Sequence, residues 1–274
     1  AADAAHARSL SAPPDGDALE AYASFLLRHE DVARARELAE AAIRLRPASQ
    51  GAWALLGLCL RRCGSARADW LNDYQRHARI FDLAPPDGYG DMAVFNRDLA
   101  AGLEQLHAAG HTYLTQTLRG GTQTHEEIFY NGHGLVDRLL PRVTEAVRTY
   151  IEEMAGDPSH PLLSRRGRGF RYAGSWSSQL GDQGFHVNHI HQRGWISSCY
   201  YVAVPSVAED AAARQGWLKF GEPSEDFGPR FTPCRSIQPL PGRLVLFPSY
   251  MWHGTIAFHA PQKRTTIAWD ASPA

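Results

Sequence analysis

Residues 184–191 read Gly-Phe-His-Val-Asn-His-Ile-His and precede a predicted strand in the C-terminal half of the chain. In an extended segment, residues two apart face the same side, so His189 and His191 project together while His186 projects to the opposite side. Neutral imidazoles bind iron, zinc, copper and nickel, and a His-x-His pair at the end of a strand offers two of them together. The stretch therefore predicts a metal site built on β-structure.

Two motifs further along the chain extend this site. His253 follows a predicted strand and a turn that contains Pro248, so it too is expected at the end of a sheet. Eleven residues later, Arg264 begins a strand whose alternate members are Thr266 and Ala268. Burying an arginine beside a metal costs free energy unless it pairs with an anion, and a guanidinium binds a carboxylate through two parallel hydrogen bonds. The pattern predicts a co-substrate that carries a carboxylate.

The residues around these motifs favour a β-sandwich or a jelly-roll barrel. Short runs rich in β-branched and aromatic residues alternate with turns that contain glycine or proline. No helical pattern of about 10–15 residues separates these runs, which disfavours a Rossmann-like sheet. The predicted strands are 170–180, 194–204, 216–220, 243–247 and 264–269.

The N-terminal part of the chain is predicted to be helical. Residues 17–83 are rich in Ala, Leu and Arg, and residues 85–88, Pro-Pro-Asp-Gly, mark their end. Small residues such as Ala35 and Ala42 let paired helices approach closely, an arrangement that resembles tetratricopeptide (TPR) repeats; an ordinary helical bundle is the alternative. So short an array must dock on the rest of the chain or on upstream residues to bury its faces. The expected helices are 17–29, 31–46, 50–63 and a degenerate 65–82, followed by amphipathic helices at 92–109 and 133–154.

Together the motifs resemble the Fe(II)/2-oxoglutarate-dependent oxygenases, and most closely a bacterial group of them that carries N-terminal TPR repeats. The resemblance implies the α+β class, with TPR-like helical hairpins over residues 1–85 and a double-stranded β-helix (jelly-roll) oxygenase domain over 86–274. Within that domain we expect a helical lead-in at 90–155 and a jelly-roll core at 168–271. The resemblance rests on the His-x-His at 189–191, the Tyr-Tyr at 200–201, the run 242–249, the His-Gly at 253–254, the Arg-x-Thr at 264–266, and the stretches 117–124, 174–177 and 194–198.

The resemblance also implies an activity and a set of residues. Members use Fe(II), 2-oxoglutarate and O2, and a hydroxylating member releases succinate and CO2. Because concave helical repeats commonly hold peptides, we expect a protein or peptide side chain as substrate. Carried over residue by residue, the iron ligands fall on His189, His191 and His253, and the 2-oxoglutarate contacts fall on Arg264, Thr266, Tyr201 and Ser197. Neighbours expected beside the metal or on the substrate side are His186, Cys199, Trp195 and Arg119.

The sequence departs from the family pattern at His191, where a carboxylate is usual. Three interpretations follow: a three-histidine site, a carboxylate such as Asp182 brought in from elsewhere, or two histidines plus water. A three-histidine, cupin-like enzyme that does not use 2-oxoglutarate is an alternative function, and so is a TPR interaction module with an inactive barrel. The Gly-containing stretch 117–124 is expected to be either a substrate-facing loop or a plain connector.

Composition narrows the possible partners. The chain has 28 Lys+Arg against 29 Asp+Glu, so it lacks the basic footprint of a protein that coats nucleic acid. No apolar run approaches the roughly 20 residues that cross a bilayer. The four cysteines form no disulfide framework, which favours a reducing, cytoplasmic setting. The sequence leaves the oligomeric state open.

Overall fold

The structure, a computed structural model, describes residues 15–108, 117–124, 127–167 and 169–274. Its N-terminal part holds three helices, α1 (Gly16–Arg28), α2 (Val32–Leu45) and α3 (Gln50–Arg62), each close to its predicted bounds. Each begins at a polar capping residue that accepts a hydrogen bond from a backbone N–H of the first turn. The caps are Asp15, Asp31 and Ser49.

Helix α3 is buried on all sides, because every residue from Gln50 to Leu60 is shielded from solvent. At its end the Arg61 guanidinium donates hydrogen bonds to the backbone oxygens of Gly221 and Thr232 in the C-terminal half. The helical region therefore docks on the rest of the chain, as the short array required.

The predicted fourth helix at 65–82 is wrong. The chain forms two short helices instead, α4 (Arg67–Leu71) and α5 (Tyr74–His77), and then strand β1 (Arg79–Asp82). Asp73 caps α5 by accepting a hydrogen bond of 2.9 Å from the Arg76 backbone N–H, which interrupts the longer helix. β1 then pairs antiparallel with residues 243–246, so tertiary pairing overrides the local helical pattern.

The rest of the chain combines helices with two antiparallel sheets, which gives the predicted α+β class. The larger sheet has the strand order β1-β7-β4-β9-β3-β2, and the smaller has β6-β5-β8. All five predicted strands are present; the sequence did not predict β1, β2, β6 or β8. The strands after β1 are β2 (Leu118–Gln123), β3 (Phe170–His186), β4 (Ile196–Ala203), β5 (Leu218–Phe220), β6 (Arg235–Ile237), β7 (Arg243–Pro248), β8 (His253–Thr255) and β9 (Arg264–Pro273).

Two long helices, α6 (Met92–Ala108) and α7 (Gly134–Glu152), agree with the amphipathic helices predicted from sequence. Their buried stripes include Phe95 and Leu99 on α6. The Tyr200 hydroxyl of β4 donates a hydrogen bond of 2.7 Å to Asn96 Oδ1 of α6, so this helix covers one face of the larger sheet. None of the helices that the structure describes has the length and apolar character needed to cross a bilayer.

The stretch 117–124 is neither a loop nor a plain connector, because it contains strand β2, which pairs with the end of β3. The register shifts between Arg119 and Gly121, and Gly120 has a φ of +66°, a backbone conformation that favours glycine. A Cβ on Gly121 would lie 2.2 Å from the Gln179 backbone oxygen. The glycine pair therefore permits close strand pairing at a bulge.

A buried histidine pair lies where α5 meets the C-terminal half. The His77 and His160 rings are 4.8 Å apart, and neither ring nitrogen of His77 has a hydrogen-bond partner among the described residues. Burial, and secondarily the nearby His160, lowers the pKa of His77 to about 4. Folding therefore favours neutral His77.

We expect this pair to make the fold acid-sensitive. Since the pKa of His77 is about 6.5 when unfolded and about 4 when folded, its stabilising effect is complete above pH 6.5, decreases as the pH falls from 6.5 towards 4, and is fully lost once the pH has fallen through 4. Between pH 7.5 and 4.5 the loss should be about 2.5 kcal/mol. Unfolding by urea at both pH values should show that His77→Phe reduces this pH dependence, whereas the control His259→Gln, at an exposed histidine, does not. An unchanged pH dependence in His77→Phe would contradict the assignment.

Candidate metal centre

Three imidazoles converge at the end of the larger sheet. The potential ligand atoms of His189, His191 and His253 all lie within 4.8 Å of one another. The Nε2 atoms of His189 and His191 are 3.1 Å apart, and the ring of His253 lies 4.3 Å from the ring of His189 and 5.0 Å from that of His191, centroid to centroid. The three residues predicted as metal ligands are thus brought together, and within the described ranges no carboxylate joins them.

Backbone hydrogen bonds fix where these histidines stand. His189 and His253 form an antiparallel bridge in which each backbone N–H donates to the other's oxygen, at 2.9 and 3.0 Å. The backbone N–H of His191 donates to the Ser249 oxygen at 3.0 Å. Residues paired directly across an antiparallel bridge project their side chains to the same side, so the chain after β3 and strand β8 aim their imidazoles at one point.

Hydrogen bonds to Nδ1 set the orientation of the His189 and His253 rings. Nδ1 of His189 lies 2.7 Å from the Val187 oxygen, and Nδ1 of His253 lies 2.9 Å from the Met251 oxygen. Because a carbonyl oxygen only accepts, Nδ1 carries the proton in both neutral rings, and Nε2 keeps a free lone pair. Metal-bound histidines are commonly held in this way.

Burial also keeps these rings neutral. Desolvation, and secondarily the proximity of His191, lowers the pKa of His189 to about 3. Desolvation lowers the pKa of His253 well below its usual value as well. At neutral pH both residues therefore present unprotonated nitrogens, the form that binds a metal ion.

His191 has a different partner. Its Nδ1 lies 2.6 Å from Oδ1 of Asp270, and the same carboxylate oxygen accepts a hydrogen bond of 2.7 Å from the Ser197 hydroxyl. Ser197 also lies 2.8 Å from the Ser249 hydroxyl. Ser197 was predicted to contact 2-oxoglutarate; its hydroxyl is instead fully engaged behind His191.

Sequence reasoning missed Asp270, although a signal for it was present. Asp270 continues the alternation of Arg264, Thr266 and Ala268 along β9, which places it on the same face of that strand. The carboxylate proposed from sequence, Asp182, lies elsewhere. It accepts a hydrogen bond from the Ala260 backbone at 3.0 Å and lies 3.5 Å from His259.

Arg264 is buried, being only 1% exposed. Its Nε donates a hydrogen bond of 3.0 Å to the Gly216 oxygen, while its Nη2 has no partner among the residues described. The Tyr201 ring lies 5.0 Å from the guanidinium carbon, and its hydroxyl is likewise buried without a partner in the described part of the chain. A buried guanidinium with a free donor, beside a free hydroxyl, fits a carboxylate ligand.

A cavity of about 290 Å³ connects the three imidazoles with Arg264. Of the residues predicted beside the metal, His186 and Cys199 line it, as does Thr266. Residues to which the sequence analysis assigned no role in the site also line it, among them Trp176 and Ser178, which are two apart on β3 and thus signalled by strand alternation. The full lining is Thr117, Gln123, Trp176, Ser178, His186, His189, His191, Ser198, Cys199, Leu218, Phe247, His253, Gly254, Thr255, Arg264, Thr266 and Ala268.

Two other predicted neighbours lie outside this lining. Trp195 is buried and its indole N–H donates to the Leu162 oxygen at 2.9 Å, so it packs the structure behind the site. Arg119 is exposed on β2, where one of its guanidinium nitrogens donates to the Leu118 oxygen at 2.9 Å. Neither side chain faces the cavity.

Comparison with known proteins bears directly on this region. Residues 174–270 match the family described as "Putative 2OG-Fe(II) oxygenase". The matched segment contains the three converging histidines, Arg264 and Asp270. Over these residues the chain is similar to that family, and Fe(II) and 2-oxoglutarate are the metal and co-substrate of the site. No curated protein matches the chain closely enough to count as a relative.

Several solved structures show a likeness to this chain. A prolyl-4-hydroxylase from Pseudomonas putida has 17% identity and a TM-score of 0.48, over 73% of this chain and 95% of its own. A prolyl hydroxylase from Trichoplax adhaerens, in complex with a peptide fragment of hypoxia inducible factor, has 14% identity and a TM-score of 0.47, over 74% and 89%. HygX from Streptomyces hygroscopicus, with nickel and 2-oxoglutarate bound, has 11% identity and a TM-score of 0.45, over 77% and 87%.

The convergence predicts how single substitutions affect metal binding. His189→Ala, His191→Ala and His253→Ala should each weaken Co(II) binding by more than about 100-fold, the upper end of the loss caused by changes outside a ligand set. His186→Ala is the matched control, since His186 lines the same cavity but is not in the converging group. Anaerobic titration of the purified variants followed by absorption measures the affinity. If His191→Ala binds Co(II) with the affinity and stoichiometry of the parent protein, the metal site consists of two histidines plus water and not of three histidines.

Proposed function

We propose that this protein is an Fe(II)/2-oxoglutarate-dependent dioxygenase that hydroxylates a protein or peptide side chain through a three-histidine metal site. The observation that carries the proposal is the pairing, in one cavity, of three converging imidazoles with the buried Arg264. A metal site alone has no need of a buried cation, whereas a metal site that also binds a dicarboxylate does.

His189, His191 and His253 would hold Fe(II) through their Nε2 atoms. Three protein ligands leave positions on the metal for co-substrate and dioxygen. When bound, Fe(II) would couple the reduction of O2 to two oxidations: one oxygen atom converts a substrate C–H bond to C–OH, and the other enters succinate as 2-oxoglutarate loses CO2. The protein's own task is to hold the imidazoles neutral, to exclude bulk water and to aim the substrate.

Arg264 and Tyr201 would bind the carboxylate of 2-oxoglutarate that lies away from the metal. Nη2 of Arg264 and the Tyr201 hydroxyl are both buried donors without partners among the described residues, and an anion there would satisfy both. Burial, with a smaller contribution from Cys199, raises the pKa of Tyr201 well above its usual value. Its hydroxyl therefore stays protonated and able to donate. Thr266 lines the same cavity and supplies a further hydroxyl.

The remaining walls of the cavity favour a neutral substrate group. Trp176, Gln123 and Ser178 line it, and the Trp176 ring lies 5.7 Å from the ring of His191. An aromatic face with neutral polar groups suits an aliphatic or amide side chain better than a charged one. This composition supports a peptide side chain as the group that reaches the metal.

The helical region supports a macromolecular substrate. A Cβ on Gly51 of α3 would lie 3.0 Å from the side-chain oxygen of Gln192, the residue after His191. The helices that resemble TPR hairpins thus contact the loop that carries a metal ligand. A peptide bound on an exposed face of this helical region, beside the contact between α3 and the loop, would lie near the reacting atoms.

A cupin-like metal enzyme that does not use 2-oxoglutarate is the second candidate, because its metal site would also consist of three histidines. The buried guanidinium of Arg264 disfavours it, since such an enzyme would leave this charge without a partner. The same intact set of imidazoles and guanidinium disfavours an inactive barrel that serves only as an interaction module.

Substituting Arg264 should separate these functions. Arg264→Ala should raise the 2-oxoglutarate concentration needed for half-maximal succinate formation by about 30-fold or more, because losing one partner of a buried charge pair costs about 2–5 kcal/mol. The matched control is Lys263→Ala, which removes a neighbouring exposed cation that pairs with Glu104. Succinate is measured with Fe(II) under air. An Arg264→Ala enzyme with the parent's concentration dependence would refute the anchoring role.

The proposed substrate class predicts a product. The Fe(II)-loaded protein should add one oxygen atom to members of a peptide library, detected by mass spectrometry, only when 2-oxoglutarate is present. N-oxalylglycine, an unreactive mimic of 2-oxoglutarate, should abolish the gain. If only small metabolites gain oxygen and no peptide is modified, the proposal of a protein or peptide substrate is wrong.

A further inference from the structure

We propose that Asp270 supplies, from behind His191, the negative charge that the metal site lacks because a histidine stands where a carboxylate ligand is usual. The inference rests on the proposed metal site at His189, His191 and His253. It makes Asp270 a positioning residue that acts on the metal through the His191 ring without touching the metal itself.

The geometry fixes on which side of the ring the carboxylate acts. Oδ1 of Asp270 is 2.6 Å from Nδ1 of His191, whereas Nε2, on the opposite edge of the ring, lies 3.1 Å from Nε2 of His189. The carboxylate accepts a hydrogen bond from the Nδ1–H of His191, so the lone pair on Nε2 is free to bind a cation. A negatively charged acceptor at Nδ1 makes Nε2 a more basic ligand than a neutral acceptor does.

His191 is the only one of the three converging histidines with such a partner. His189 and His253 direct Nδ1 at neutral backbone oxygens. The carboxylate therefore stands behind the position at which the family pattern has an acid. This coincidence distinguishes a compensating charge from an ordinary buried hydrogen bond.

Asp270 is held in place by a packed polar network. The Ser197 hydroxyl donates to Oδ1 at 2.7 Å and lies 2.8 Å from the Ser249 hydroxyl. Gly194 closes the network, since a Cβ there would lie 2.2 Å from Ser249 Oγ and 3.2 Å from Asp270 Cγ. Among the described residues, no lysine or arginine forms an ion pair with Asp270. Its charge is thus directed at His191.

A count of the formal charges in the loaded site also indicates that Asp270 compensates a charge. The two positive charges of Fe(II) equal the two negative charges of 2-oxoglutarate, and three neutral imidazoles add nothing. Arg264 would then leave one uncompensated positive charge in a buried cavity, which is costly. The carboxylate of Asp270 cancels it, as a carboxylate ligand would in the usual triad.

The first test compares two substitutions by their effect on Co(II) affinity, measured without oxygen or 2-oxoglutarate. Asp270→Asn preserves the shape and an oxygen that can accept from Nδ1, but removes the charge; it should weaken Co(II) binding about 10–100-fold. Asp270→Ala should weaken it at least as much. Asp182→Asn is the control, an exposed carboxylate that is not part of the group formed by His189, His191 and His253. Thermal unfolding of the metal-free proteins verifies that each variant is folded.

The second test uses His191→Asp, which restores a carboxylate at the ligand position. In that background the charge of Asp270 is superfluous and repulsive, so adding Asp270→Asn should leave Co(II) affinity unchanged or strengthen it. If Asp270 only held the Ser197–Ser249 network in place, the loss would be the same in both backgrounds. The disappearance or reversal of the loss is the result that supports charge compensation.

Each result decides the inference independently of oxygenase activity. Parent-like Co(II) affinity in Asp270→Asn, or an equal loss in the two backgrounds, overturns charge compensation even if 2-oxoglutarate turnover is normal. The expected loss in the parent background, and its disappearance or reversal with His191→Asp, support it even if the protein forms no succinate, in which case the proposed function alone fails.

Discussion

The reciprocal backbone hydrogen bonds between His189 and His253 are the constraint on which the site depends. They tie the chain after β3, a strand of the larger sheet, to β8 of the smaller one. Because the two residues are paired directly, their imidazoles project to the same side at short range. His191, two residues on, joins them through the strand alternation and through its own bond to the Ser249 oxygen. One bridge between two sheets therefore builds a three-nitrogen cluster from segments more than sixty residues apart.

Strand β9 provides the electrostatic frame around this cluster. Its alternate residues carry a guanidinium, a hydroxyl, a methyl group and a carboxylate, at Arg264, Thr266, Ala268 and Asp270. Six residues of extended chain span about 20 Å, so the cation and the anion stand at opposite ends of one face. Arg264 has a donor without a partner in the described part of the chain and lines the cavity, whereas Asp270 is engaged behind a ligand. One charge is available to a co-substrate and the other to the metal.

The site was more predictable from sequence than the fold that surrounds it. The spacing of His189, His191 and His253 with Arg264 depends on strand alternation and on ligand chemistry, both of which are local. The alternation could also have revealed Asp270, but only if β9 had been extended beyond residue 269. Strands β1 and β2 could not be predicted, because Arg79–Asp82 follows helical residues and Leu118–Gln123 is polar and rich in glycine. Both become strands by pairing at the edges of the larger sheet, β1 with β7 and β2 with β3. Such pairing is a tertiary contact that local pattern does not encode.

Strand β1 also bears on how the helical region relates to the catalytic part. It lies before residue 85, the predicted boundary, yet it pairs with Arg243–Leu246 of β7, and the Asp82 carboxylate accepts hydrogen bonds of 2.7 and 3.0 Å from Arg243. Removing residues 1–85 would leave the backbone groups along one edge of β7 unpaired, which favours aggregation. It would also leave Tyr250 without the Leu71 oxygen, to which its buried hydroxyl donates at 2.7 Å. The helices and the sheets are therefore joined by main-chain pairing and buried hydrogen bonds, and a cut at residue 85 would break both.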